Sequence, residues 1–139
     1  MYDLQKIQKI ISDINRYFKE LREIGVSSIK DLKISKNFLS ASMLIFSIVN
    51  RTIDLGNEIL TSNNLGTPLT YRDIFNLLYK NKFITKKMLD EISYLIHIRN
   101  LIAHEYYRFK ESDIFKALKK LPIVLKFIES IKRKIRIKI

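Results

Sequence analysis

The sequence predicts an all-α domain of about five helices, and three observations carry that prediction. Apolar residues recur at intervals of three and four along most of the chain, the repeat that gathers them on one face of a helix. Three glycines and two prolines are too few turn residues for a many-stranded sandwich or a glycine-rich phosphate loop. A hydrophobic content of 47% beside 29% charged residues suits amphipathic helices. At 139 residues the chain makes one domain, 1–139, with room for a real core. A two-domain enzyme is not expected.

Leu4, Ile7, Ile10, Ile11, Ile14, Phe18 and Leu21 form the stripe of a first helix, which Gly25 can stop because glycine accepts the left-handed conformation of a C-terminal cap. Phe38, Ser42, Ile45, Phe46, Val49, Ile53 and Ile59 mark a long second helix, starting between Ser28 and Asn37 and ending in the polar run from Thr61 to Gly66. Thr70 is placed to cap a short third helix holding Ile74, Leu77 and Leu78. Thr85 does the same for a fourth, about Thr85 to His104, with Met88, Ile92, Leu95, Ile96, Ile102 and Ala103 on one face. Ser112 opens a fifth that runs through Ile131. Pro122 lies inside it and is expected to kink rather than break it, because the apolar register continues beyond. From about Lys132 the chain becomes a basic tail, too charged for core and expected to be a solvated end.

The most apolar stretch, Phe38 to Val49, falls short of the roughly 20 residues needed to cross a bilayer, and the N-terminus lacks the apolar core of a signal peptide. The expectation is a soluble protein with no membrane partner. Absence of cysteine removes a disulfide frame, a thiolate metal site and a cysteine nucleophile, and fits the reducing cytoplasm. The 26 Lys and Arg against 14 Asp and Glu leave a net charge of +12, which favours a polyanionic partner, nucleic acid or an acidic protein.

Chemistry concentrates in Ile98-Arg99-Asn100-Leu101-Ile102-Ala103-His104-Glu105-Tyr106. At about 100° per residue, Arg99 falls in the apolar stripe between Ile96 and Ile102, with Tyr106 nearly beneath it two turns on. Arginine is rarely buried without partners, so either a carboxylate meets it inside the fold or the stripe faces another subunit or a ligand. Asn100 and His104, four apart, share an adjoining face. One fixed cation, one amide and one imidazole suit phosphodiester chemistry in RNA, where a base takes the 2′-OH proton and a cation stabilises charge on the phosphoryl oxygens, with no metal or other cofactor needed. One such histidine per chain is thin equipment for both base and acid. A two-fold homodimer would supply the second group and explain an arginine on an apolar stripe.

The spacing of Arg99-Asn100, His104 and Tyr106 resembles the motif of the HEPN superfamily, and His104-Glu105-Tyr106 is similar to its HepT-type toxin branch. The second helix with Arg51-Thr52-Ile53-Asp54-Leu55-Gly56-Asn57, the Pro68-Leu69-Thr70-Tyr71 entry and the Leu121-Pro122 helix resemble the same family, so the likeness covers most of residues 30 to 131. That resemblance implies an antiparallel up-and-down bundle that dimerises and a metal-independent endoribonuclease that leaves a cyclic phosphate. It also implies a minimal nucleotidyltransferase (MNT) antitoxin as partner, attaching AMP to the motif tyrosine, here Tyr106. Arg99, Asn100 and His104 carry over as the catalytic set.

Other readings attach to the same residues. Asp54 and Glu58, four apart on the second helix, form a carboxylate pair that can support the site by pairing Arg99, but no second histidine or acidic cluster completes a metal site. His97 lies about 10 Å along the helix from His104, too far to share a metal, and reads as a surface or capping residue. The basic tail can add phosphate contacts that fade with salt. A non-catalytic HEPN binding module fits the same motif. Thr70 to Leu95 resembles a helix-turn-helix DNA binder, against which Met88, Ile92 and Leu95 look like core and the turn lacks glycine.

Overall fold

The computed structural model describes residues 1–105 and 108–136. Among them are six α-helices and one 3-10 helix, and no strand: α1 (Leu4–Ile24), the 3-10 helix (Ile29–Lys33), α2 (Ser35–Ser62), α3 (Tyr71–Lys80), α4 (Lys86–His104), α5 (Glu111–Lys120) and α6 (Ile123–Ile135). Counting α5 and α6 as one interrupted rod gives the five helices expected from the periodicity.

The helix ends follow local chemistry. Asp3 accepts from the Lys6 amide to start α1, and Gly25 ends it at φ 71°, in the left-handed region. Thr70 and Asp73 form a reciprocal capping box at α3, and Thr85 accepts from the Met88 amide at α4. Ser112 does not open the next helix. Lys110 precedes α5, and the Asp113 carboxylate accepts from the Lys110 amide at 2.8 Å, so an acidic side chain one residue further on closes the N-terminus. Pro122 divides the final rod instead of kinking it: α5 ends at Lys120, and Leu121 and Pro122 keep right-handed helical angles as a turn before α6. The missing donor removes one ladder bond, while buried Leu121 and Ile123 keep both halves on the core. The basic end is also more regular than expected. α6 runs through Ile135, Ile131 is fully buried, and Arg136 ends the helix in the left-handed region.

α1 and α2 pack antiparallel, as three polar pairs along their length demonstrate. Tyr2 meets Asn63, Lys6 meets Glu58 at 3.0 Å, and Arg51 reaches Asp13 through Nε at 3.0 Å and Nη2 at 2.6 Å. Asp13 is buried and also accepts from Lys9 at 2.9 Å. Lys9 first and Arg51 second hold its carboxyl below the usual carboxylate range. α3 crosses α2 at Gly56, where an added Cβ would stand 2.9 Å from the Phe75 ring; the same ring packs edge-on to Phe127 of α6. α2 is long and apolar enough by composition to cross a bilayer, but in this fold Ile45, Ile48, Leu55 and Ile59 are fully buried in the bundle core.

Candidate active site on helix α4

α4 runs antiparallel to α2, and this alignment sets the site. Arg99 lies against Asn50, whereas Ser93 and Ile96, earlier in α4, share a cleft with Ile53 and Asn57, later in α2. His104, at the end of α4, is thereby directed toward the start of α2. Stacking of Phe109, just past α4, on Phe38 at 5.5 Å agrees with that direction.

Arg99 sits in the apolar stripe where the periodicity puts it, half-buried, but its partners differ from those expected. Its Nε donates to Asn50 Oδ1 at 2.7 Å and its Nη1 to Asn100 Oδ1 at 3.0 Å. The guanidinium carbon lies 5.1 Å from the Phe46 ring centroid and 5.0 Å from that of Tyr71. Two aromatic faces and two amides thus replace the carboxylate: they hold the cation without neutralising it. No carboxylate of the described residues lies within 4 Å of it. Asp54 is paired with Arg51 at 3.1 Å and Glu58 with Lys6 at 3.0 Å, so neither takes the role of pairing Arg99. A guanidinium that no carboxylate of the described residues pairs is suited to an anionic oxygen.

Asn100 and His104 are both exposed, on the adjoining face predicted for them. The Arg99–Asn100 hydrogen bond ties the guanidinium to the edge of that face, and roughly 7 Å of helix axis separates Arg99 from His104. Arg99 and Asn100 are thus joined directly, and His104 follows on the face of Asn100 one turn later, with no contact to either among the described side-chain bonds. Tyr106 lies outside the described residues. His97 is exposed and lines the cleft beside Asn100. Among the described residues no group of three or more His, Asp or Glu is placed to hold a metal. Ile92 and Leu95 are buried in the core, as their place in the apolar stripe of α4 predicts.

Sequence reasoning missed Asn50, Phe46 and Tyr71. A signal existed for the first two. Leu39, Met43, Phe46 and Asn50 follow one stripe of α2, on which an asparagine interrupts the apolar run, just as Arg99 interrupts that of α4.

An all-helical bundle with an Arg-Asn pair and a histidine at the end of one antiparallel helix is the architecture expected of a HEPN domain. The chain belongs to the ribonuclease HepT-like family, whose model matches residues 7–131. It is 37% identical over 54 residues to the mRNA nuclease HepT of Shewanella oneidensis. The matched segments span 41% and 50% of the length of two curated relatives, so the chain matches about half of each. Among solved structures, it resembles a tri-AMPylated Shewanella oneidensis HEPN toxin in complex with MNT antitoxin, with 25% identity, a TM-score of 0.85 and coverage of 96% of this chain and 99% of that one. It also resembles a mutant toxin–antitoxin complex, with 26% identity, a TM-score of 0.81 and coverage of 93% and 98%.

Proposed function

We propose that this chain is a metal-independent endoribonuclease, the toxin of a pair whose antitoxin is a minimal nucleotidyltransferase. The observation that carries the reading is the Arg99 cage: a guanidinium fixed by two amides and two rings, with no carboxylate of the described residues paired to it, about one and a half turns before His104 on the same helix. In the reaction, the His104 imidazole takes the proton of a 2′-OH, the 2′ oxygen attacks the adjacent phosphorus, and the bond to the 5′ oxygen breaks with protonation of that oxygen. Arg99 stabilises the charge on the phosphoryl oxygens, and Asn100 orients the guanidinium. The products are a 2′,3′-cyclic phosphate and a 5′-hydroxyl.

The leaving oxygen needs an acid, and a second copy of His104 across a two-fold axis meets that need. The surface that supports a homodimer is on α2, where Leu39 and Met43 are 62% and 56% exposed on the same stripe as Phe46 and Asn50. Since α4 directs His104 toward this end of α2, pairing two such faces brings two histidines near one axis. Tyr106, two residues beyond His104, is the proposed acceptor of AMP from the antitoxin. A bulky phosphodiester there would repel and exclude RNA phosphate.

The test is cleavage of bulk RNA by purified protein in chelator. Retained cleavage in chelator and its loss in His104→Ala, with helical circular dichroism preserved, are expected because His104 is exposed and contributes little to the core. RNA binding without cleavage in the wild type would instead favour a non-catalytic module.

A further inference from the structure

On the side of Arg99 away from His104 lies a cleft of about 720 Å³ between α2, the start of α3 and α4. Its floor is apolar, made of the buried side chains of Ile53, Ile74 and Ile96. Tyr71 forms a wall, and the amides of Asn57 and Asn100 stand among the lining groups. Ser93 is the informative residue, because it is 8% exposed and lines this cleft. The buried hydroxyls of Ser42 and Thr52 each donate to the carbonyl four residues earlier at 2.7 Å, the usual escape for a hydroxyl inside a helix. Ser93 makes no such bond among the described residues, yet its oxygen is not sealed from solvent space. It opens on the cleft, and a hydroxyl so placed needs a polar partner there.

We propose that the cleft receives one nucleobase of an RNA strand, that of the nucleotide adjoining the scissile phosphate. This rests on the ribonuclease reading for the source of the base. One feature selects a base over a phosphate alone. Asn57, Asn100 and Ser93 offer donors and acceptors together beside an apolar floor, the combination that reads the edge and face of an unstacked base. The lining charges do not decide against it, since Asp54 is paired with Arg51 and Arg72 stands at the cleft as a cation able to meet the phosphate of the same nucleotide. Position selects the nucleotide, because Asn100 and Tyr71 line the cleft and also touch Arg99. A strand whose phosphate lies on Arg99 therefore has a neighbouring base within reach of Ser93. Sequence preference next to the cut is the consequence.

Single-stranded RNA carrying a randomised tract is cleaved by the wild type, Ser93→Ala and Asn57→Ala, and the ends are sequenced. Wild type is expected to prefer one base, or one class of base, at a position flanking the cut. Each substitution should relax that preference by about fivefold, the effect of one hydrogen bond. Absence of a flanking preference in the wild type, or an identical profile in both variants, overturns the proposal. A readout independent of cleavage is titration of ¹⁵N-labelled protein with each of the four nucleoside 3′-monophosphates and with ribose 5-phosphate. The side-chain amides of Asn57 and Asn100 should shift in a base-dependent way that Ser93→Ala weakens. Equal shifts with ribose 5-phosphate, or none because a second copy fills the cleft, would overturn it. Base-dependent shifts without any RNA cleavage would leave the pocket standing and defeat the ribonuclease reading.

Discussion

Arg99 gains its character from neighbours that do not carry charge. A carboxylate partner would hold it equally well but would consume the charge that a phosphoryl oxygen needs, whereas Asn50, Asn100 and the rings of Phe46 and Tyr71 restrict its geometry and leave the charge available. Arg99→Lys should therefore lower kcat by at least about tenfold, since an ammonium cannot reproduce the planar fork. Asn50→Ala should lower kcat with little change in KM, and Asn50→Asp, which keeps an acceptor for Nε but pairs the guanidinium with a negative charge, should fail to recover the loss. Equal kinetics for the wild type and Asn50→Ala would remove Asn50 from any positioning role. Sequence spacing exposed Arg99 as an anomaly, but an arginine on an apolar stripe is equally consistent with a carboxylate, an amide or another subunit. Only the fold, by aligning α4 with α2, selects the amide.

At the scale of helices, the α1–α2 pair depends on Asp13, a buried carboxylate bonded by Lys9 and by two nitrogens of Arg51. Its pKa in the folded chain is lowered from the ordinary 3.8, so its contribution to stability is fully present above that value and is lost as pH falls through the lowered one. Asp13→Asn should cost about 1 to 3 kcal/mol at neutral pH, and the gap from the wild type should shrink below about pH 4. Urea midpoints measured across pH 3 to 7 test this. A gap constant through the acid range would mean that the carboxylate's charge is irrelevant. Periodicity marked both helices but not this bond, which joins residues 38 positions apart. Pro122 teaches the complementary lesson. Continued apolar register on both sides of a proline reports that both segments face one core, and it does not report whether the backbone between them stays hydrogen-bonded.

For the whole molecule, the proposed homodimer rests on the uncovered apolar residues of α2 and on the single motif histidine. Met43→Glu would place a charge at a residue 56% exposed in the single chain, so it should leave folding intact while yielding a monomer with little ribonuclease activity. Light scattering and RNA cleavage on the same sample decide it: an active monomer ends the composite-site idea. Regulation is read at the same scale. Co-expression with a cognate minimal nucleotidyltransferase is expected to add mass in units of AMP to this chain, and Tyr106→Phe should abolish the adduct at that position. An unmodified intact mass would count against the antitoxin mechanism while leaving the ribonuclease untouched.

The stripes of the first four helices, the caps at Gly25, Thr70 and Thr85 and the candidate status of Arg99, Asn100 and His104 all depend on residues within a few turns of one another, and the sequence by itself determined them. The partners of Arg99, the Asp13–Arg51 bond, the diversion of Asp54 and Glu58 to other cations and the cleft beneath Ser93 were decided only by tertiary structure. The physical reason is range. Helical periodicity and capping are local consequences of backbone geometry, whereas each of these contacts joins side chains brought together by the packing of separate helices, and many pairings are compatible with the same local pattern.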